Sequence, residues 1–199
     1  MSDFLRAHLG ETLLSEDEMR GLIPSLSTQR ELNEFEEENI ESARRWAVTS
    51  NQIANSEVLN ASYLLDLHKR MFNATWRWAG QFRTTPKTIG IEPHSIAGNL
   101  AGLLGDTHYW ILHHVHPLDE IALRFHHRLV SIHPFANGNG RHARLVADII
   151  ALKFGLSAFP WGSNTGEPAI VRLAYLESLR RAEQLDYAAL FAFARSGKI

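Results

Sequence analysis

Apolar residues recur at roughly helical spacing along most of this 199-residue chain. Within residues 28–48 the repeating set is Leu32, Phe35, Ile40, Ala43 and Trp46. The charged residues of this stretch, among them the acidic run Glu36–Glu38, are expected on the solvated face of the helix. Thr28 and Glu31 have the spacing of a capping box, which predicts where this helix begins. A chain with this pattern folds mainly as packed helices.

The same periodicity predicts further helices over residues 55–73, 95–113, 118–132, 141–154, 167–183 and 186–195. Residues 82–92 have a different pattern. Pro86 and Gly90 break helices there, while the threonines and isoleucines around them favour extended backbone. We therefore predict a mainly α fold with one short β-hairpin.

The composition narrows the classes of function. The formal net charge is only −2, which argues against a basic surface for nucleic acid. The chain has no cysteine, so disulfides and thiolate metal ligands are excluded and a reducing compartment fits. Its first residues lack the basic start and apolar core of a signal peptide, and no apolar stretch is long enough to cross a bilayer. We expect a cytoplasmic, single-domain protein that binds neither membranes nor nucleic acid.

The segment HPFANGNGRHAR, which begins at His133, carries the chemistry. Gly138 and Gly140 allow a tight turn, and the helix predicted after them adds unpaired amide N–H groups that favour an anion. Arg141 and Arg144 are three residues apart, so both guanidinium groups lie near one helix face and match phosphate oxygens. His133 titrates near neutrality and is a candidate base for an incoming hydroxyl. Together these residues predict attack on a phosphoryl group, without deciding which reaction follows.

This segment resembles the signature of the Fic family, His-x-Phe-x-acidic-Gly-Asn-Gly-Arg-x-x-Arg, with one fixed position changed. Proteins of that family are α-helical and carry a hairpin, called the flap, upstream of the motif. The resemblance extends over about residues 55–195. When the Ile-Pro, Glu-Leu-Asn and Asn-Ile sequences around residues 23–40 are included, the chain most resembles the branch called mobile mystery protein B. It implies a Fic domain over residues 51–199 that follows an N-terminal segment, residues 1–50.

The resemblance implies a protein adenylyltransferase, which moves AMP from ATP to a Ser, Thr or Tyr hydroxyl of a target protein with Mg²⁺ or Mn²⁺. The implied nucleotide-binding residues are Gly138, Asn139, Gly140, Arg141 and Arg144. His133 would be the general base, and a buried Phe135 would anchor the loop. Arg141 would hold the β-phosphate and Arg144 the γ-phosphate. The flap, about residues 83–91, would pair with the target segment as an added strand. The sequence leaves open whether the chain forms a homodimer.

Asn137 is the one departure from the signature. It stands where the family usually has Asp or Glu, the carboxylate that binds Mg²⁺. An Asn carbonyl can ligate Mg²⁺ but supplies no charge. We therefore expect a weaker metal site at Asn137 that depends on the phosphates of ATP.

Many proteins of this family are inhibited by a helix glutamate that pairs with the second motif arginine, in a pattern similar to Ser/Thr-x-x-x-Glu-Gly/Asn. Ser27 and Glu31 fit the first part, but Leu32 follows where Gly or Asn is expected. One interpretation is that Glu31 reaches Arg144 and inhibits the enzyme. The other is that Glu31 only completes the capping box with Thr28.

Other functions remain compatible with the sequence. Related motifs support transfer of a whole phosphate or of phosphocholine, although the presence of both Arg141 and Arg144 favours AMP transfer. A catalytically idle nucleotide-binding module, part of a toxin–antitoxin-like pair, is favoured by Asn137 and Glu31. Zinc would need ligands among His113, His114, His116, His126 and His127. No His-Glu-x-x-His pattern accompanies them, which argues against zinc.

Overall fold

The computed structural model describes residues 13–55 and 57–197, and the first residues, expected not to form a signal peptide, lie outside this part. The helices of the described part are α1 (Glu16–Met19), α2 (Gln29–Ala47), α3 (Ser50–Asn55), α4 (Ala61–Phe72), α5 (Ile96–Leu112), α6 (Leu118–Ile132), α7 (Asn139–Lys153), α8 (Pro168–Glu183) and α9 (Ala188–Arg195). A short 3₁₀ turn, Pro93–Ser95, leads into α5. None of the described helices is long and apolar enough to cross a bilayer.

The predicted helices form with ends shifted by at most two residues, except for the helix predicted over residues 55–73. There α3 ends at Asn55 and α4 begins only at Ala61. The capping box at the start of α2 forms as predicted: Thr28 Oγ1 accepts from the Glu31 N–H, and the Glu31 carboxylate accepts from the Thr28 N–H. The helix that follows the motif, α7, begins two residues earlier than predicted, inside the glycine-rich turn. The sequence did not predict α1 or α3, because four to six residues are too few to show a helical period.

The core lies where four helix pairs meet. α6 packs against α7, α2 against α4, α5 against α6, and α8 against α9. Most residues of α7 are buried, among them the apolar Leu145, Val146 and Ile149. Phe72, at the end of α4, and Trp76 just after it are almost wholly buried. Because α7 is surrounded by other helices, the loop that enters it is held between α4 and α6.

The predicted hairpin over residues 82–92 is wrong, because no strand forms anywhere in the described residues. The backbone of this segment bonds to the last residue of α6 and to the loop after it, and not to itself. The Arg83 N–H donates to Pro134 O at 2.9 Å, and the Ile91 N–H donates to Ile132 O at 3.4 Å. Residue types that favour extended backbone indicate that the backbone groups need hydrogen-bond partners outside the segment's own helix turns. They do not indicate which part of the chain supplies those partners.

Candidate active site

The motif loop has an unusual backbone at both ends. His133 ends α6 in the left-handed region, with φ 55° and ψ 60°. Gly138, with φ 78°, is the N-cap of α7. A Cβ on Gly138 would lie 2.4 Å from the Phe72 ring, so only glycine fits this turn. The first amide N–H groups of α7 therefore open beside the loop, as an anion site requires.

Asn139 holds the shape of this loop. Its Oδ1 accepts from the Phe135 N–H at 2.9 Å, and its Nδ2 donates to Phe135 O at 2.8 Å. Both ends of the amide are thus used inside the loop, and Asn139 is almost wholly buried. The predicted contact of Asn139 with phosphate would therefore be made by its backbone N–H and not by its side chain. Phe135 is buried, as predicted.

Two histidines that the sequence analysis did not select lie beneath the loop. His68 stacks on Phe135 with ring centroids 3.6 Å apart. The Gly80 N–H donates to His68 Nδ1 at 3.0 Å, so His68 Nε2 carries the proton and donates to Asn137 O at 3.1 Å. His142 Nε2 lies 3.0 Å from Leu64 O. Burial lowers the pKa of both imidazoles, which therefore support the loop as neutral groups.

His133 is buried beside a cation. Burial lowers the pKa of its imidazole to about 4, and the positive charge of Arg83 acts in the same direction. At neutral pH His133 is therefore uncharged and able to accept a proton. Its predicted role as a base at the edge of the anion site stays a prediction.

Arg83 joins the flap to this histidine, and the sequence analysis did not select it. Its Nε donates to His133 O at 2.7 Å, and its Nη1 donates to Thr85 O at 2.9 Å. Its Nη2 donates to Ile91 O, at the other end of the flap. One buried guanidinium therefore closes the flap and fixes it against the end of α6. An arginine inside a stretch of extended residues was the only sequence signal for this contact.

The outer part of the flap is tied to α1. Lys87 forms a largely buried ion pair with Glu18. The Thr85 hydroxyl donates to Glu18 Oε1 at 2.8 Å, and Lys87 Nζ also donates to Leu13 O at 2.8 Å. The segment that precedes the predicted inhibitory helix thus contacts the flap directly.

The first motif arginine already has an acidic partner. Arg141 Nη1 donates to Glu36 Oε2 at 2.7 Å, and the other oxygen of Glu36 accepts from Trp76 Nε1 at 2.6 Å. Glu36 is only 5% exposed, so its predicted place on a solvated face is wrong. The guanidinium of Arg141 lies 5.0 Å from the centre of the Phe72 ring. The reason for the error is that Trp76 and Arg141, far away in sequence, supply the two donors that Glu36 needs to be buried.

The second motif arginine is held by an aromatic ring. Arg144 lies 5.1 Å from the centre of the Tyr175 ring. The Tyr175 hydroxyl is 3.1 Å from His126 Nε2, and a Cβ on Gly140 would lie 3.5 Å from it. Tyr175 therefore lies at the wall of the site, between Gly140 and Arg144.

The structure does not bring Glu31 to Arg144. The Glu31 carboxylate accepts from the Ser27 and Thr28 N–H groups at 2.7 Å and 3.1 Å. These bonds lower the pKa of Glu31. Among the described residues, no carboxylate is within 4.0 Å of the Arg144 guanidinium. Glu31 thus acts as a helix cap, and the predicted inhibitory pairing is not formed because the capping box already uses its carboxylate.

Asn137 provides little for a metal ion. Its Oδ1 accepts from the adjacent Gly138 N–H, so ligation would have to replace or share that bond. Within the part of the chain that the structure describes, no group of three or more His, Cys, Asp or Glu residues is placed to hold a metal. A cation here would take one neutral oxygen from Asn137 and would depend on a bound phosphate for the rest.

Comparison with known proteins shows the family to which the chain belongs. The Fic/DOC family profile matches residues 58–151, from just before α4 to near the end of α7. The protein adenylyltransferase Fic of Nematostella vectensis is 30% identical over 148 residues, in an alignment that covers 70% of this chain and 32% of that protein. The chain belongs to the Fic family. It spans only about a third of the length of this curated Fic relative.

Solved structures show the same Fic fold. The N-terminal Fic domain of an effector protein from a Bartonella species has a TM-score of 0.69 and 16% identity, over 94% of this chain and 93% of that one. The BepC protein of Bartonella tribocorum, solved with bound AMPPNP, has a TM-score of 0.67 and 15% identity, over 91% and 97% of the two chains. The Fic-family prediction and the mainly helical fold are thus confirmed. The boundary predicted at residue 50 stays a prediction.

Proposed function

We propose that this protein transfers AMP from ATP to a hydroxyl group of a target protein. The observation that carries the proposal is the motif loop, which places an uncharged His133 at one end and the opening amides of α7 at the other. Arg141 and Arg144 follow on α7 beside the same loop. The adenylyltransferase relative and the neighbour with bound AMPPNP support a nucleotide as the ligand.

The proposed mechanism uses groups that are already in place. The amides of Asn139 and Gly140 bind phosphate oxygens at the positive end of α7, and the Gly138 N–H joins them when it leaves Asn137 Oδ1. Arg141 and Arg144 take the outer phosphates, so that the α-phosphate faces His133. The neutral imidazole of His133 removes the proton of a Ser, Thr or Tyr hydroxyl, which then attacks the α-phosphate and releases pyrophosphate. The flap, residues 83–91, is proposed to hold the target segment.

The site offers few ligands to a metal ion, but they are sufficient for an ion that arrives bound to ATP. Asn137 Oδ1 would be the ligand from the protein, and phosphates and waters would supply the others. Bound Mg²⁺ or Mn²⁺ would neutralise charge on the phosphates. We therefore propose that the protein binds the metal ion only together with the nucleotide.

The experiment that tests this proposal is labelling with ATP that carries a radioactive α- or γ-phosphate, with the protein alone and with cell lysate. Wild type is expected to transfer label from the α-position only, and His133→Ala is expected to transfer none. Glu31→Gly serves as a control and is expected to label like wild type, because Glu31 only caps α2 in the structure. Label from the γ-position would instead show transfer of a whole phosphate. Nucleotide binding without any transfer would contradict the proposal and leave a binding module.

A further inference from the structure

Glu36 connects the helix before the family region to the motif itself. It lies on α2, outside residues 58–151, yet its carboxylate bonds Arg141, which is 105 residues away. We infer that Glu36 is a positioning residue, which holds Arg141 in the orientation in which it binds the β-phosphate. This inference rests on the proposed nucleotide site, and it makes α2 a working part of that site.

The carboxylate of Glu36 is rigidly placed. One oxygen accepts from Trp76 Nε1 at 2.6 Å and the other from Arg141 Nη1 at 2.7 Å. Trp76 is almost wholly buried and stacks on Trp78, with ring centroids 5.1 Å apart. A buried carboxylate is stable only while its oxygens are paired, so it stays where these two donors are. Glu36 therefore offers Arg141 a fixed acceptor.

The contact leaves most of the guanidinium available. Glu36 uses Nη1, and among the described residues neither Nε nor Nη2 of Arg141 has a hydrogen-bond partner. The Arg141 side chain is 34% exposed, and the Phe72 ring lies beneath its guanidinium. The same ring limits the turn at Gly138, so Arg141 is held beside the anion site from two sides. A guanidinium that is fixed before binding loses less side-chain entropy when a phosphate arrives.

The negative charge of Glu36 also has an opposite effect, since it repels a phosphate bound to the same arginine. The two effects differ in sign. If orientation dominates, loss of the carboxylate weakens binding of a nucleotide that has a β-phosphate. If repulsion dominates, the same loss strengthens that binding. The single-nitrogen contact and the fixed Trp76 partner favour orientation.

Calorimetric titration of the full chain with ADP and with AMP tests the inference. In Glu36→Gln the amide oxygen can serve only one of the two donors, because the amide nitrogen faces the other. We expect ADP to bind about tenfold more weakly to Glu36→Gln, as for loss of one hydrogen bond to a charged group. AMP has no β-phosphate, and its affinity is expected to stay as in wild type. Glu37→Gln, a change at the exposed neighbour, is expected to alter neither affinity.

A double-mutant comparison separates positioning from a structural role. In an Arg141→Gln background, Glu36→Gln is expected to cause no further loss of ADP affinity, because the residue it acts through is gone. Trp76→Phe removes the indole N–H but keeps an aromatic ring, and it is expected to weaken ADP binding selectively and to a smaller extent. If Glu36→Gln fails to fold, the inference is tested with Trp76→Phe instead.

Three results would overturn the inference: tighter ADP binding by Glu36→Gln, equal losses of ADP and AMP affinity, or additive effects of the two substitutions. Labelling assays do not enter this comparison. A protein that binds ADP as described but transfers no AMP would refute the proposed function and leave the positioning role of Glu36 intact. A wild-type protein that binds neither nucleotide would refute both.

Discussion

His133 is held in place by its neighbours more than by its own backbone preference. Its φ of 55° lies in the left-handed region, which residues other than glycine adopt rarely. Arg83 bonds its carbonyl oxygen, and Gly90 of the flap lies directly against its side chain. The position of the candidate base therefore depends on the flap, which contacts the end of α6 without forming a strand.

Gly90→Ala tests this dependence. A Cβ at residue 90 would lie 2.5 Å from the His133 Cβ, and the φ of 101° at Gly90 strains any other residue. We expect AMP transfer to fall by at least about tenfold and stability to fall by about 1–3 kcal/mol. Labelling from α-phosphate-labelled ATP and urea unfolding measure the two effects.

Gly98→Ala is the matched control for this substitution. Gly98 lies in α5 with nothing within 4 Å of an added Cβ, so alanine should stabilise the helix by up to about 1 kcal/mol and leave labelling unchanged. If Gly90→Ala also keeps full activity, the flap does not determine the position of His133.

At the scale of elements, the flap has the conformation that its contacts with neighbouring elements impose. Its ends bond to the last residue of α6 and to the loop after it, and its outer part bonds to α1 through Glu18. α1 has only four residues, and its own capping box uses Ser15 and the same Glu18. The carboxylate of Glu18 thus stabilises a short helix and fixes the flap at once. Burial raises the pKa of Glu18, but its bonds to Lys87, Ser15 and Thr85 outweigh burial and lower it overall.

Glu18→Gln is expected to loosen the flap. It leaves Lys87 with a buried positive charge and no ion-pair partner at that position, which should cost about 1–3 kcal/mol of stability. Hydrogen exchange of the amides between residues 84 and 89 should become faster, while exchange in α7 stays slow. Mass spectrometry of exchange, together with thermal unfolding, provides the measurement.

The control is Glu16→Gln on the same helix. Among the described residues Glu16 pairs with Arg20, and its side chain is 92% exposed, so its loss should change stability by less than about 0.5 kcal/mol. Equal effects of the two substitutions would show that the ion pair with Lys87 does not hold the flap.

For the whole molecule, acid is expected to be destabilising because several histidines are buried without charge. Burial lowers the pKa values of His68, His126, His133 and His142 in the folded protein. In the unfolded chain the same groups take up protons near about pH 6.5, so the unfolded state binds more protons below that pH. Stability is therefore lost as the pH falls from about 6.5 towards 4. Asp148 acts the other way, since burial raises its pKa to about 6.

Urea unfolding at about pH 7 and about pH 5 measures this effect, which should reach about 2 kcal/mol for each buried histidine. His142→Gln removes one of these groups, and its stability should depend less on pH than that of wild type. His94→Gln changes an exposed side chain and should keep the wild-type dependence. Equal pH dependence in all three proteins would show that buried histidines do not control acid stability.

Much of the fold could be predicted from the sequence because helices have a local period. α2, α5, α6, α8 and α9 lie within about two residues of their predicted ends. The failures have physical causes. Residues 82–92 favour extended backbone but find their partners in another loop. Glu36 belongs to an acidic run that resembles a solvated face, and only the packing of α2 against α4 places it beside Trp76.

The sequence by itself determined the helical class, the order of the motif from His133 to Arg144, and the cap at Glu31. These depend on residues within a few positions of one another, so local spacing carries the information. Only the tertiary structure decided that Arg83 reaches His133 over 50 residues and that Glu36 reaches Arg141 over 105. Such contacts depend on how the helices pack, and no local pattern fixes that geometry.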